Sequence, residues 1–342
     1  MRRRIVGAAN LPHMTEFGFK LCSEEQSPRE LVSLAARAEE AGFSFGVISD
    51  HFHPWVDAQG HSPFVWGVIG GIAQATQKLR LGTGVTCPTI RIHPAIIAQA
   101  SATAAEMMPG RFFLGVGSGE NLNEHILADR WPPADMRIDM LEEAIEVIRL
   151  LWQGGLKTHY GEHYVVENAR LYTLPDELPP IIVAASGEKA GELAGRVGDG
   201  LMTTSPNEEV IKAFDEAGGK GPRYAEMAVC WAKDEAEARR TAHRQWPNAA
   251  LKGQLSQELA LPSFFEQAAQ SVTEDDVAEA ILCGPDAQRH IDKVREYIDA
   301  GIDHVFIHQV GHDQEGMIRF YEREVLPAVR ADRSAETAKA GG

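Results

Sequence analysis

Short runs of β-branched and other apolar residues alternate along the chain with longer segments whose apolar positions recur every three to four residues. The short runs, at 16–20, 44–50, 79–86, 111–117, 180–185, 200–204, 226–232 and 303–308, have the length and composition of β-strands. Helical periodicity predicts helices at 28–41, which opens on Pro28 and stops at Gly42, and at 140–152, which stops at Gly154-Gly155. The same pattern predicts helices at 94–108, 188–197, 234–245, 287–300 and 314–329, with Ile291, Val294 and Ile298 forming the apolar stripe of one of them. A chain that alternates strand and helix builds a parallel sheet, and about eight strands is the number that closes a (β/α)8 TIM barrel. Two segments are too long for tight connections, 121–138 after the fourth strand and 246–273 after the seventh. They are expected as loop insertions at the C-terminal face, where long loops carry function.

Composition narrows the class further. With 342 residues, 44% apolar and 24% charged, and with Gly 32 and Pro 18, the chain has globular values and is not disordered, collagenous or a disulfide scaffold. A net charge of −16 repels phosphate backbones and anionic membranes, so neither nucleic acid nor a membrane surface is an expected partner, and a small molecule is. No run approaches the roughly 20 apolar residues of a membrane span. Cys22, Cys87, Cys230 and Cys283 are widely spaced, with no C-x-x-C pair and no zinc-like cluster, which fits reduced thiols and a cytoplasmic location. Residues 1–13 hold no sustained apolar stretch behind Arg2-Arg3-Arg4 and are expected as a disordered extension. The small, polar segment 332–342 is expected as a disordered tail, which leaves one barrel domain over 14–331.

The residues able to carry chemistry gather at strand ends. Ser49-Asp50-His51-Phe52-His53-Pro54-Trp55 closes the second strand, and in a barrel that end is the catalytic face, the place for a titratable Asp-His pair with an aromatic beyond it. A buried histidine satisfied by a backbone carbonyl is the other reading of these residues. His51-x-His53 lacks further ligands at metal spacing, so no metal is expected. Gly115-Val116-Gly117-Ser118-Gly119-Glu120 ends the fourth strand with spacing G-x-G-x-G, not the dinucleotide fingerprint. Its glycines let a planar ring approach the backbone, and Glu120 supplies a carboxyl group for proton donation; a glycine bulge with a solvent-facing Glu is the alternative. Leu81-Gly82-Thr83-Gly84-Val85-Thr86-Cys87 interrupts a β-branched run in the same way. Ala185-Ser186-Gly187-Glu188-Lys189 lies between a strand and a helix, where backbone amides hold anions.

Taken together, Ser-Asp-His-Phe-x-Pro-Trp at 49–55, Leu-Gly-Thr-x-Val…Pro-Thr at 81–89, Leu-Gly-Val-Gly-Ser-Gly-Glu-x-Leu-Asn-Glu at 114–124, Ala-Gly-Arg-x-Gly-Asp-Gly at 194–200 and Gly311-His312-Asp313-Gln314 resemble one group. It is the glucose-6-phosphate dehydrogenase-like subgroup of the coenzyme F420-dependent, luciferase-like oxidoreductases. The resemblance implies a luciferase-like TIM barrel, commonly homodimeric, that binds the deazaflavin at its carboxyl face. It makes His51 the base that removes the substrate hydroxyl proton and Glu120 the acid that protonates the deazaflavin, with Trp55 and Glu24 supporting the reacting centre. It assigns cofactor contacts to Asp50, Cys87, Ser118, Gly119, Asn123, Ser186, Gly187, Lys189 and Ala190, and a non-proline cis peptide beneath the ring to Gly84-Val85. It also implies His51 neutral and Glu120 protonated near neutral pH, with Asp50 orienting the imidazole.

The departures from the subgroup concern the substrate. Thr204 is kept, but Asn207, Gln267 and Ala280 stand where sugar-phosphate dehydrogenases place two lysines and an arginine. Each charge-assisted bond lost to a phosphate is worth roughly 1.5–3 kcal/mol. An F420-dependent dehydrogenase acting on the CH–OH group of a non-phosphorylated alcohol or sugar is therefore the leading expectation. A sugar-6-phosphate dehydrogenase, an FMN-dependent monooxygenase of the same superfamily and a non-catalytic deazaflavin carrier are the alternatives. Trp131, Trp246, Phe264 and Phe265 in the two long loops are expected either to wall the substrate pocket or to pack those loops, and Lys252 is the basic residue placed to reach inward.

Overall fold

The computed structural model describes residues 15–331, so the expected N-terminal extension and C-terminal tail lie outside the described residues. Eight parallel strands close on themselves: β1 (Glu16–Leu21), β2 (Phe45–Ile48), β3 (Arg80–Thr83), β4 (Phe112–Val116), β5 (Ile181–Ala184), β6 (Gly200–Thr203), β7 (Arg223–Cys230) and β8 (His304–Gln309). Each pairs with its neighbour in sequence, and β8 returns to β1 with Phe19 opposite Ile307, so the barrel has no open edge. A two-residue strand, Leu282–Cys283, pairs with the upper half of β7. The seventh strand runs over Arg223–Cys230 and starts three residues earlier than predicted, because pairing begins at the polar Arg223 with β6 and at Tyr224 with β8.

Side chains alternate in and out along each strand. Inside the barrel, Phe45, Val47, Phe113, Ile182, Met202, Tyr224 and Phe306 form a compact cluster of their own. Large rings fit there because glycines face them: a Cβ on Gly82 would lie 2.0 Å from the Phe113 ring and one on Gly18 2.2 Å from the Phe45 ring. The main core fills the layer between strands and helices, and includes Leu31, Ile69, Ile97, Ile148, Leu193, Phe214 and Tyr321.

The helix Pro28–Glu40 starts where the pattern predicts, with Pro28 in its first turn and Ser27 and Glu30 forming a reciprocal capping box. Helices over Val65–Ala75 and Glu208–Glu216 complete the α/β alternation but were not predicted. In the first, Gly67, Gly70 and Gly71 within an almost wholly apolar run erase the two-faced pattern; the second is only nine residues long and mostly charged on one side. The long helix begins at Ala134, six residues ahead of its predicted start at 140 and inside the segment expected as loop. The remainder of that segment forms short turns at Asn121–Glu124 and His125–Leu127. The segment 246–273 likewise carries short helices at Leu255–Glu258 and Pro262–Ala268, and a further helix follows at Glu274–Ala280. Among the described residues no helix is long and apolar enough to cross a membrane.

Candidate active site

The functional side chains converge where the strands end. His51 follows β2, and its two ring nitrogens face different acceptors: Nδ1 lies 3.2 Å from the carbonyl oxygen of His53, and Nε2 lies 3.4 Å from Glu24 Oε1. Both acceptors stabilise the imidazolium that forms when the ring takes up a proton. Glu24, just past β1, is 2% exposed and is fixed by the hydroxyls of Ser49 and Ser23 and by the Cys22 thiol. Burial alone would raise its carboxyl, but the charges of His51 and Lys20 and the Ser49 hydroxyl outweigh burial and hold it at about 2. Trp55 packs on the His51 ring with centroids 5.1 Å apart and is itself held by the edge of Phe265 at 5.2 Å.

Asp50 does not orient the imidazole, contrary to the sequence reading. In the loop past β2 Asp50 turns toward the segment that follows β3, where its carboxylate is engaged. There Thr86 Oγ1 donates to its Oδ2 at 2.5 Å and Arg91 Nη2 to its Oδ1 at 2.9 Å. Glu24, distant in sequence, takes the role that adjacency suggested for Asp50.

Glu120 is half-buried at the start of the short helix Asn121–Glu124. Asn123 ties it to the loop that follows His51: its Nδ2 lies 3.5 Å from Glu120 Oε2, while its Oδ1 accepts from the backbone N–H groups of Phe52 and His53 at 2.8 and 3.2 Å. Gly119 adopts φ +90°, and a Cβ there would lie 3.1 Å from the Glu124 side chain. Sequence reasoning passed over Glu124. Burial raises its carboxyl to about 7, and the Glu120 charge adds to this against the pull of Arg91. Its Oε2 accepts from the backbone N–H of Arg91 at 2.6 Å and of Ile90 at 3.3 Å. Cys87 is buried beside both carboxylates, and burial with those charges pushes its thiol well above the ordinary range. The Gly84-Val85 peptide is cis, as the resemblance implies, and its Gly84 carbonyl accepts from Lys20 Nζ at 3.3 Å.

The remaining positions are more dispersed. Gly187 caps the helix Glu188–Val197 without a side chain, leaving the first-turn N–H groups, including those of Lys189 and Ala190, free of any side-chain cap. The Lys189 side chain pairs with Asp135 on the surface, and Ser186 Oγ lies 3.5 Å from Gln257 Nε2. Of the substrate positions, Thr204, Gln267 and Ala280 are exposed, and Asn207 spends its side-chain oxygen capping the helix Glu208–Glu216. Lys252 is exposed and exerts its charge on Asp276. Among the loop aromatics, Phe265 is buried against Trp55, Phe264 is 43% exposed, Trp246 donates to Glu25 at 2.7 Å and Trp131 stacks on Arg137 at 4.2 Å.

The profile of the luciferase-like monooxygenase family matches residues 13–304. The chain belongs to this family. It is 36% identical over 327 residues to an F420-dependent glucose-6-phosphate dehydrogenase of Microbacterium testaceum, covering 92% of this chain and 97% of that protein. It is 37% identical over 333 residues to the protein of the same description from Nakamurella multipartita, covering 94% and 98%. Among solved structures it resembles an F420-dependent secondary alcohol dehydrogenase in complex with an F420-acetone adduct, with a TM-score of 0.86 and 31% identity over 92% of this chain and 99% of that one. The F420-dependent tetrahydromethanopterin reductase of Methanopyrus kandleri, at 22% identity and a TM-score of 0.75 over 92% and 99% of the two chains, shares the fold.

Proposed function

We propose that this luciferase-like chain is an F420-dependent dehydrogenase that acts on the CH–OH group of a non-phosphorylated alcohol or sugar. The observation that carries this reading is His51, backed by Glu24 and covered by Trp55, joined through Asn123 to Glu120 at the strand ends. Relatives named for F420 and for dehydrogenation of an alcohol and of a sugar phosphate support the cofactor and the reaction class.

The residues present suit a deazaflavin. Glycines 117 and 119 keep the end of β4 low, since a Cβ on Gly117 would lie 2.7 Å from Val85 and one on Gly119 3.1 Å from Glu124. Ser118, Gly119 and Asp50 would hold the ring and its chain, and the uncapped N–H groups after Ser186-Gly187 suit an anionic portion. When bound, coenzyme F420 supplies a carbon that accepts and returns hydride. The His51 imidazole takes up the hydroxyl proton of the substrate, and Glu24 with the His53 carbonyl stabilises the cation so formed. Glu120 supplies the carboxyl group that passes a proton on the other side of the site. Trp55, backed by the buried Phe265 and Val56, gives His51 an apolar neighbour on that side.

The substrate class rests on missing charge. Asn207, Gln267 and Ala280 provide no cation, and Lys252 lies on the surface near Asp276. A phosphate dianion would enter desolvated and uncompensated, on a protein of net charge −16. The test is a side-by-side panel in which purified protein reduces F420 with propan-2-ol, glucose or glucose 6-phosphate. A higher kcat/KM for a neutral compound is expected; glucose 6-phosphate as best substrate would establish the sugar-phosphate reading instead. Titration with F420 and with FMN checks the cofactor, with micromolar or tighter binding expected for F420 alone. A homodimer is part of the same reading, supported by the apolar surface groove of Pro28, Val32, Pro63, Phe64 and Val68, with Phe64 64% exposed, and is checked by light scattering.

A further inference from the structure

Beneath the catalytic pair the barrel interior changes from apolar to ionic. Two residues beyond the inner-cluster positions Tyr224 and Phe306, and two beyond Gly18, the inward side chains are Glu226, His308 and Lys20. Barrel closure places their strands side by side in the order β7, β8, β1. Lys20 Nζ lies 3.0 Å from Glu226 Oε2, and His308 Nδ1 lies 2.8 Å from Glu226 Oε1. Lys20 and His308 are buried, and the Lys20 ammonium also rests 5.8 Å from the Phe306 ring centroid.

This chain of charges does not end at the floor. The Lys20 charge also acts on Glu24, so its ammonium serves two carboxylates, one belonging to the floor and one to the His51 pair. At the other end the His308 ring meets the Trp246 edge at 4.8 Å, and Trp246 in turn donates to Glu25 at 2.7 Å. The order of charge is thus His51, Glu24, Lys20, Glu226, His308, Glu25. Two buried ionisable groups gathered on a half-buried carboxylate are costly unless each is paired. A hydrophobic plug would fill the same volume, as it does one layer lower.

We propose that Lys20 and Glu226 are positioning residues that set how tightly the Glu24–His51 pair holds its proton. The inference rests on His51 being the base of the proposed reaction. When the pair releases its proton it passes from neutral to a net single negative charge. The Lys20 cation favours that released state, and Glu226 moderates Lys20. A unit charge about 10 Å away shifts such an equilibrium by about one pH unit at an effective dielectric near 20.

Removing the two floor charges therefore acts in opposite directions, which loss of structure alone does not do. Lys20→Met should move the acid limb of the kcat/KM profile up by about one pH unit, and Glu226→Gln should move it down by a similar amount. The same displacement is read without cofactor or substrate from the imidazole proton resonances of the full-length protein. The His51 signal is assigned among the 13 histidines by its absence in His51→Asn. Opposite displacements support the proposal, and their presence in a protein that oxidises no alcohol would discard the dehydrogenase reading while leaving this one standing. Displacements in the same direction, or none beyond about 0.2 pH unit, overturn it. If Lys20→Met does not fold, the nearly isosteric Glu226→Gln decides alone: a downward displacement supports the proposal, and an unmoved or upward one rejects it.

Discussion

Replacing Glu24 by Gln probes its pairing with His51 and the energetics of that pair together. Gln reproduces the shape of the protonated acid, so the variant resembles wild type with Glu24 neutralised. The native environment lowers the Glu24 carboxyl from 4.5 to about 2, which corresponds to about 3 kcal/mol in favour of the folded, ionised form. The sign follows from that lowering: the stabilisation is complete above pH 4.5 and is lost as the pH falls toward 2. Glu24→Gln should therefore be about 3 kcal/mol less stable than wild type at pH 7, with the gap narrowing to about 1.5 kcal/mol at pH 3. Urea unfolding across that range measures it. Catalytically, the variant loses a charge-assisted contact to the imidazolium worth roughly 1.5–3 kcal/mol, so kcat/KM for F420 reduction should fall about 10- to 200-fold. A gap independent of pH, or kcat/KM within twofold of wild type, would refute the pairing of Glu24 with His51.

His51→Ala should lower turnover by roughly 10²–10⁴ in a saturating steady-state assay while leaving F420 affinity within a few-fold. Glu120→Gln keeps the shape of the acid but not its proton, and stopped-flow traces should show slower hydride transfer with the cofactor still bound. Phe265→Ala removes a fully buried ring that supports Trp55, so a loss of roughly 3–5 kcal/mol by denaturant titration is expected, with raised KM as the Trp55 wall loosens.

The alternation of strand and helix was legible because each element carries its own period, and the motifs at 49–55 and 114–124 were legible because each is local. Where a period was blurred, as by the three glycines in Val65–Ala75, the element was missed. Pairing is a different matter. Adjacency in sequence suggested Asp50 as the partner of His51, but Thr86 and Arg91 hold the Asp50 carboxylate, and the tertiary structure brings Glu24 from the end of β1 instead. Glu124 gave no signal beyond its place in a motif, because its raised carboxyl comes from burial under the Gly119 turn, a property of packing. Lys20, Glu226 and His308 lie in three different strands and read singly as unremarkable polar positions. Only closure of β8 onto β1 makes them neighbours, since a barrel joins the two ends of the chain that no sequence window spans together.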